Sequence, residues 1–262
     1  MSLSHFCRPE GWLGTPPRFV FHESVSSTHD VLRQLAEHGA PEGTVVLAEV
    51  QTAGRGRLGR QWLAAPETSL LLSLLFRPQE PFLFHASRVT MACGLALQAA
   101  VREVTGLPAT LKWPNDLIVE REAGWRKLAG LLAEIGALPE ASPYLMVGIG
   151  VNVNVPLASL QTYSPQATSL LVETGRGVDR SALLLSLLRH IEARYDRLSA
   201  GWNPLPEWRA ALAWMGQAVR VHTSAGEVCG VAVEVREDGA LLVRTEAGEL
   251  LSLHAGDVSL RK

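Results

Sequence analysis

The sequence has little of what several common classes of protein require. Its three cysteines, Cys7, Cys93 and Cys229, are far apart and odd in number, so neither a disulfide framework nor a Cys-x-x-Cys zinc site is indicated. The longest apolar run, "LLLSLLF" at 70–76, is too short to span a bilayer, and no apolar signal segment opens the chain. The formal net charge is −2, which predicts no bulk attraction to nucleic acid or to a membrane. These absences favour a cytoplasmic globular protein without specific DNA binding.

The 262 residues divide into three parts by composition and by hydrophobic pattern. Residues 1–18 are rich in Gly, Pro and Ser and predict a loosely attached lead-in. Residues 19–215 mix β-branched runs with helical patterns, which predicts an α/β domain. Residues 216–262 contain short alternating runs separated by glycine turns, which predicts a small all-β module of about five strands.

Local patterns predict the main elements of the α/β domain. A helix is expected to start at Ser27, with Asp30 in its first turn, and to end before Gly39. Pro114-Asn115-Asp116 predicts a turn between two short strands. The other predicted elements are strands at 44–50 and 69–76, strands in "WRKLAGLLAEIGA" and "PYLMVGIGVNVNV", and helices at 85–106, at 180–200 and in "LPEWRAALAWMG".

The most unusual segment is "QTAGRGRLGRQW" at 51–62, called here the Gly/Arg loop, where Arg55, Arg57 and Arg60 alternate with three glycines. One interpretation is a solvated basic loop without function. Alternating glycines increase the conformational entropy lost on folding, however, and a simple connector has no need of them. A nucleic-acid segment is disfavoured because the motif occurs once in a chain of negative net charge. A phosphate clamp fits best, since glycines let backbone N–H groups approach an anion and arginine forks bind its oxygens. No Gly-Lys-Ser/Thr follows, so this is not a Walker loop.

Lys127 heads an apolar row in a predicted strand, where it has the same parity as Ala129 and Leu131. A lysine in this position either protects an exposed strand edge or directs its charge into a pocket. Parity alone does not separate the two interpretations.

Other polar residues also allow two interpretations. Asp116 is either a turn former or a carboxylate with a chemical role. Ser27 and Thr28 are either helix caps or ligand contacts. Asn152 and Asn154 are unusual in a strand, which suggests a hydrogen bond to a ligand.

Taken together, four blocks closely resemble the signature segments of biotin–protein ligases, also called biotin–[acetyl-CoA-carboxylase] ligases. The blocks are "GRGRLGRQW", "LKWPNDL", "KLAGLLAE" and "GIGVNVN", in this order and spacing. The resemblance extends from about residue 19 to residue 262. It implies a catalytic fold similar to class II aminoacyl-tRNA synthetases, a mixed sheet with helices mainly on one face, followed by an SH3-like barrel.

The resemblance also implies a reaction and its partners. Members of the family join biotin's carboxylate to the α-phosphate of ATP in the presence of Mg²⁺, giving biotinyl-5'-AMP and pyrophosphate. They then transfer the biotinyl group to one lysine of a biotin carboxyl carrier protein. A carboxylate and a triphosphate repel each other, and fixed arginines relieve that repulsion.

By resemblance, roles fall on particular residues. The implied catalytic residues are Arg57, Lys127 and Asp116, the last orienting the incoming lysine or accepting its proton. The implied biotin-binding residues are Ser27, Thr28, Gln51, Gly54, Arg55, Arg57, Lys127 and Gly130. The implied adenylate-binding residues are Arg55, Arg57, Arg60, Trp62, Lys127 and Asn152, with Trp62 and Asn152 on either side of adenine. No metal ligands are indicated.

Two departures and two alternatives remain. His29 stands where the family usually has asparagine, which can leave the Ser27 and Thr28 contacts intact. Too few residues precede the catalytic blocks for the DNA-binding module of some members, so a ligase without repressor function is expected. A lipoate–protein ligase shares the implied fold and reaction plan but lacks the Gly-Arg-Gly-Arg loop. A biotin-sensing regulator without turnover is the second alternative, and both monomer and homodimer stay open.

Overall fold

The computed structural model describes residues 3, 12, 19–78, 82–122, 124–137 and 143–261, without the side chains of 82–84 and 163. Within these ranges, none of the helices is both long enough and apolar enough to cross a membrane.

Two residues of the predicted lead-in are described, and both are anchored. The indole N–H of Trp12 donates to the Gly43 carbonyl over 2.7 Å, and the Leu3 amide donates to Glu49 over 3.0 Å. Both side chains are buried in the core. The expectation of loose attachment is therefore wrong at these two points, because apolar burial holds them in place.

A mixed seven-stranded sheet forms the larger part of the molecule, in the order β1-β2-β3-β7-β6-β5-β4. Its strands are β1 (Phe19–Val25), β2 (Val45–Gln51), β3 (Ser69–Phe76), β4 (Thr110–Lys112), β5 (Asp116–Arg121), β6 (Gly124–Gly136) and β7 (Tyr144–Asn152). β1 and β2 are parallel, and every other neighbouring pair is antiparallel. Every residue of β3 is buried, as its uninterrupted apolar run predicts for a strand covered on both faces.

The described part of the chain contains six α-helices, which pack on this sheet or extend beyond it. They are α1 (Thr28–Glu37), α2 (Phe82–Thr105), α3 (Leu157–Tyr163), α4 (Leu170–Thr174), α5 (Arg180–Ser199) and α6 (Leu205–Ala211). Side chains alternate along β2, so Val45 and Leu47 join the core that contains residues of α2 and α5. Val46 faces the opposite way and packs with Leu32 of α1. The sheet is thus covered on both faces, and the start of α1 lies at the site described below.

The start of α1 follows its predicted signals. The Ser27 side chain accepts a hydrogen bond from the His29 amide over 3.2 Å, as an N-cap does. Gly39, just past the helix, has a φ of +80°, which glycine adopts without strain. The Asp30 carboxylate accepts from Ser26 rather than reaching back to the cap.

The C-terminal module is a five-stranded antiparallel sheet in the order β11-β10-β9-β8-β12. Its strands are β8 (Ala218–Thr223), β9 (Gly226–Val235), β10 (Leu241–Thr245), β11 (Leu250–Leu253) and β12 (Asp257–Leu260). The module packs on the larger sheet: Val219 and Val221 join its core, and the Trp113 indole donates to the Gly239 carbonyl over 2.9 Å. The prediction of an α/β fold with a mixed sheet and a small C-terminal β module is confirmed.

Candidate active site

A cavity of 480 Å³ lies where α1, the Gly/Arg loop, β5, β6 and β7 meet the C-terminal module. Eleven of the residues implied by the resemblance line it, namely Ser27, Thr28, Gln51, Arg55, Arg57, Arg60, Trp62, Asp116, Lys127, Gly130 and Asn152. The twelfth, Gly54, lies at the base of the loop. Segments far apart in sequence are therefore brought to one site.

The Gly/Arg loop is a hairpin that is hydrogen bonded to itself. The Trp62 amide donates to the Gly54 carbonyl over 2.9 Å, and the Gly56 amide donates to the Arg60 carbonyl over 2.7 Å. A 3₁₀ turn, Arg57–Gly59, forms the tip. A Cβ on Gly54 would lie 2.4 Å from the Trp62 carbonyl oxygen, so glycine is needed for the two strands of the hairpin to approach.

Two glycines of the sheet make a flat surface under Trp62. A Cβ on Gly150 would lie 2.6 Å from Trp62 Cε2, and one on Gly130 would lie 3.4 Å from the same indole. The Lys127 ammonium lies 5.7 Å from the Trp62 ring centroid. The two glycines therefore let the Trp62 indole lie flat on the sheet, beside the positive charge of Lys127.

The three arginines of the loop have different partners. Arg55 Nη2 lies 2.6 Å from Asp30 Oδ1 of α1. Arg57 has an amide partner instead, since its Nη1 lies 3.4 Å from Asn115 Oδ1, and among the described residues it forms no ion pair. Burial lowers the pKa of Arg57, yet a guanidinium stays charged at neutral pH. Arg57 is thus a half-buried cation on the cavity wall, within the electrostatic influence of Asp116 and Asp257 but without an ion pair to either.

The Lys127 side chain points into the cavity, although simple alternation along β6 would place it on the same face as Ala129. The register of β5 against β6 shifts between Leu117 and Ile118, so that Leu117 pairs with Ala129 and Ile118 with Lys127. The extra residue on β6 reverses the alternation, and the Lys127 ammonium lies on the side of Gly130. The prediction that Lys127 shares a face with Ala129 is therefore wrong.

Lys127 and Asp116 form a close ion pair. Lys127 Nζ lies 2.6 Å from Asp116 Oδ1, and the carboxylate is largely buried. The side-chain amide of Asn115 donates to the Leu131 carbonyl, which fixes the turn that carries Asp116. A cation and a carboxylate therefore stand together at the wall of the cavity.

Sequence reasoning missed two residues next to this pair. Lys112 is 1% exposed, and its Nζ lies 2.5 Å from Asp257 Oδ1 and 3.8 Å from Asp116 Oδ2. Arg60 Nη1 lies 3.1 Å from Asp257 Oδ2. Burial alone would raise the pKa of Asp257, but Lys112 and Arg60 outweigh burial and hold that pKa below its ordinary value. Lys112 lies within the "LKWPNDL" block, which could have drawn attention to it, whereas no sequence pattern around Asp257 indicated a role.

Asp257 is the point at which the C-terminal module enters the site, and we predict that it supports ATP use. Asp257→Asn keeps the size of the side chain but removes the charge that holds Lys112 and Arg60. We expect the KM for ATP to rise about tenfold while the Kd for biotin changes less than about twofold. Steady-state kinetics and calorimetry measure the two quantities. Glu249→Gln, on an exposed turn of the same module, is the matched control, and equal effects of Asp257→Asn on both ligands contradict the prediction.

The opposite end of the cavity is polar and built around Thr28. The Thr28 amide and hydroxyl both donate to Gln51 Oε1, over 2.8 and 3.1 Å. His29 is 3% exposed and its ring packs against Gly148, where a Cβ would lie 2.5 Å from His29 Cε1. Burial lowers the pKa of His29 to about 4. The substitution of histidine for the usual asparagine thus leaves the Thr28 contacts in place.

The lowered pKa of His29 predicts an acid sensitivity of folding. Its folded pKa of about 4 lies below the ordinary 6.5, so between these values the unfolded chain binds a proton that the folded chain does not. The free energy of unfolding should be unaffected by this group above pH 6.5 and should fall as pH decreases toward 4, by about 3 kcal/mol in all. Urea unfolding of wild type and His29→Asn across this range measures the difference in slope. Parallel curves contradict the prediction, and His38→Asn, on the exposed end of α1, is the control.

The two asparagines of β7 and its extension differ in their roles. The side-chain nitrogen of Asn154 donates to the Val178 carbonyl and its side-chain oxygen accepts from the Val178 amide, each over 2.9 Å. The suggestion that Asn154 marks a ligand contact is therefore wrong. Asn152 lines the cavity, and its amide nitrogen donates to the Thr168 carbonyl over 2.9 Å. The side chain of Asn152 is therefore oriented by the fold at the cavity wall.

A second cavity of 560 Å³ adjoins the first and extends between α2, α6 and the C-terminal module. The residues that line both cavities include Arg57, Lys112, Asn115 and Asp116. Asp116 is therefore reachable from both cavities.

The described ranges hold no group of three or more His, Cys, Asp or Glu placed to bind a metal ion. Asp116 and Asp257 are each already paired with a lysine. Mg²⁺ fits this site as a companion of ATP, because that ion commonly binds through substrate phosphates and keeps several waters.

A cationic hairpin, a lysine–aspartate pair and the Trp62 indole on two glycines meet in one cavity, which suits the site to an anionic ligand. Comparison with known proteins identifies the family. Residues 21–154 match the model of the biotin/lipoate A/B protein ligase family, and residues 215–261 match that of the biotin protein ligase C terminal domain. The chain belongs to the biotin/lipoate A/B protein ligase family.

Individual relatives extend over nearly the whole chain. The bifunctional ligase/repressor BirA of Bacillus subtilis is 32% identical over 244 residues, covering 92% of this chain and 73% of the relative. The biotin–[acetyl-CoA-carboxylase] ligase of Mycobacterium tuberculosis is 33% identical, with coverages of 91% and 87%. The structure of biotin protein ligase from Aquifex aeolicus in complex with biotin and ATP superposes with a TM-score of 0.74 at 30% identity, covering 94% and 99%. The resemblance to biotin–protein ligases is confirmed.

Proposed function

We propose that the protein activates biotin with ATP as biotinyl-5'-AMP and transfers the biotinyl group to a lysine of a biotin carboxyl carrier protein. The observation that carries the proposal is that one cavity joins the Arg57 hairpin and the Lys127–Asp116 pair to the polar end at Thr28 and Gln51. Relatives named as biotin–[acetyl-CoA-carboxylase] ligases support it.

In the first half-reaction, a carboxylate oxygen of biotin attacks the α-phosphorus of ATP. A new P–O bond forms, the bond from the α-phosphorus to the bridging oxygen of the β-phosphate breaks, and pyrophosphate leaves. Mg²⁺ bound with ATP would offset part of the charge of the phosphates. We assign Arg57 and Lys127 to neutralise the negative charge that builds up on the α-phosphate, because both are cations that line the cavity. Each such preorganised donor contributes about 3 kcal/mol to lowering the barrier. Trp62 and Asn152 would hold the adenine.

In the second half-reaction, a lysine amine of the carrier attacks the acyl carbon of the adenylate, and the C–O bond to AMP breaks. A lysine is protonated at neutral pH and must lose a proton before it attacks. We assign Asp116 to orient this ammonium and to accept its proton. The second cavity reaches Asp116 from the side of α2 and α6 and meets the first at Arg57, which offers the acceptor lysine an approach from that side.

The test of substrate is ATP–pyrophosphate exchange with biotin and lipoate supplied separately. We expect exchange with biotin at least about 100-fold above that with lipoate, because the dithiolane of lipoate offers no polar group to the Thr28–Gln51 end. Omitting the acid gives the background. A preference for lipoate contradicts the substrate assignment, and absence of exchange with either acid favours the non-catalytic regulator.

Partners beyond the small molecules follow from the same proposal. The carrier is a folded domain that presents one lysine, and the ATP-dependent reaction is placed in the cytoplasm. Specific duplex DNA binding forms no part of the proposed function, because a formal charge of −2 supplies no general attraction to phosphates. A gel-shift on duplex DNA at physiological salt that strengthens with biotin contradicts this point.

A further inference from the structure

Lys112 is a buried cation at the place where the larger sheet meets the C-terminal module. It is the last residue of β4, and its cross-strand partner is Asp116, the first residue of β5. Residues that pair directly across two antiparallel strands place their side chains on the same face of the sheet. The Lys112 ammonium accordingly lies 3.8 Å from Asp116 Oδ2. The turn between the two strands therefore sets a lysine beside an aspartate.

The two carboxylate oxygens of Asp116 face two different lysines. Oδ2 faces Lys112, whereas Oδ1 lies 2.6 Å from the Lys127 ammonium. Within the described part of the chain Oδ1 accepts no hydrogen bond, so Lys127 is held there by charge alone. The Lys127 side chain is also 32% exposed, against 1% for that of Lys112. Lys127 is thus the partner that can move away from Asp116, and Lys112 is the partner that stays.

Two further contacts hold Lys112 in place. Its ammonium donates to Asp257 Oδ1 of β12 over 2.5 Å and lies 4.6 Å from the centre of the Trp125 ring. A buried ammonium is costly unless charges and hydrogen bonds compensate it, and a ring face adds to that compensation. Both partners belong to the protein, so the position of Lys112 does not depend on a ligand.

We propose that Lys112 is a positioning residue for the transfer step, which holds the Asp116 carboxylate for the acceptor lysine while Lys127 is engaged by phosphate. The inference rests on the proposed function, because that function gives Lys127 and Asp116 their roles. In the adenylate complex, the α-phosphate competes with Asp116 for Lys127. A buried carboxylate that loses its cation is strongly destabilised, and Lys112 supplies the compensating charge. Because Asp257 holds Lys112, the C-terminal module acts on the transfer step through this contact.

The test is a double-mutant cycle of Lys112→Met and Asp116→Asn, since methionine has about the length of lysine and no charge. Single-turnover assays follow transfer from saturating biotinyl-5'-AMP to a purified biotin carboxyl carrier domain, and ATP–pyrophosphate exchange with biotin follows the first half-reaction. We expect Lys112→Met to slow transfer at least about tenfold and exchange less than about threefold. In the Asp116→Asn background, Lys112→Met should change transfer by less than about twofold, because Lys112 acts through Asp116. Arg126→Met, which removes another cation near the site, is the control and should transfer normally.

Two results overturn the inference and leave the proposed function intact. One is equal slowing of both half-reactions by Lys112→Met, and the other is a loss in the double variant that multiplies the two single losses. Absence of exchange with biotin in wild type overturns both the inference and the proposed function.

Asp257→Asn keeps the inference testable if Lys112→Met does not fold, because it releases Lys112 from a side chain that is 32% exposed. It should slow transfer from saturating biotinyl-5'-AMP at least about threefold in the wild-type background and not in the Asp116→Asn background. Equal slowing in the two backgrounds overturns the inference.

Discussion

Lys127→Ala should form biotinyl-5'-AMP at least about 100-fold more slowly than wild type, because it removes a fixed charge from the transition state. Asp116→Asn should keep adenylate formation within about tenfold of wild type and slow transfer to the carrier at least about 100-fold. The expected split follows from the roles proposed for two groups that are only 2.6 Å apart. Single-turnover assays of each half-reaction measure it.

The contact between the two groups makes the design of the test important. Each substitution leaves the other member of the pair without its partner, so a general disturbance of the site would slow both half-reactions in both variants. Supplying preformed biotinyl-5'-AMP separates the cases, because it should restore transfer by Lys127→Ala and not by Asp116→Asn. Arg126→Ala, which removes a neighbouring cation bonded to the Trp125 carbonyl, controls for loss of charge on β6. Defects of both variants in the same half-reaction contradict the roles.

Local sequence patterns were sufficient for the elements with continuous apolar character. β3 and α2 lie within a few residues of their predicted ranges. β1 was not predicted, since it is an edge strand in which every residue is half-buried except the consecutive, exposed Glu23 and Ser24, so no regular alternation marks it. α3 and α4, with 7 and 5 residues, are too short to show a helical period.

The site was harder to predict where it depends on pairing between distant segments. The direction of Lys127 depends on the register shift against β5, which the sequence of β6 alone does not encode. Asp257 lies 145 positions from Lys112, and Ser73 lies 44 positions from His29. These contacts exist only in the folded chain, so the resemblance named residues that line the cavity and did not name those that hold them.

Arg57→Gly should release biotinyl-5'-AMP at least about tenfold faster than wild type and should label lysines of unrelated proteins. Arg57 is the arginine of the hairpin with an amide partner, Asn115, so its charge is the one most available to the adenylate. A mixed anhydride reacts with water and with any amine it meets, so we expect the hairpin to shield it. The substitution removes the charge and loosens the tip together.

Leu58→Gly separates these two effects. Leu58 is 65% exposed at the tip of the hairpin and has a φ of +56°, a conformation that glycine adopts more readily, so the substitution adds freedom without removing charge. The assay incubates each variant with biotin, ATP and a lysine-rich bystander protein, reads labelling by streptavidin blot, and follows adenylate release in parallel. We expect Arg57→Gly to label bystanders and Leu58→Gly to resemble wild type. If Arg57→Gly retains the adenylate and leaves bystanders unlabelled, the hairpin is a binding surface and not a lid. If Leu58→Gly leaks as much as Arg57→Gly, retention depends on the order of the hairpin backbone and not on the arginine.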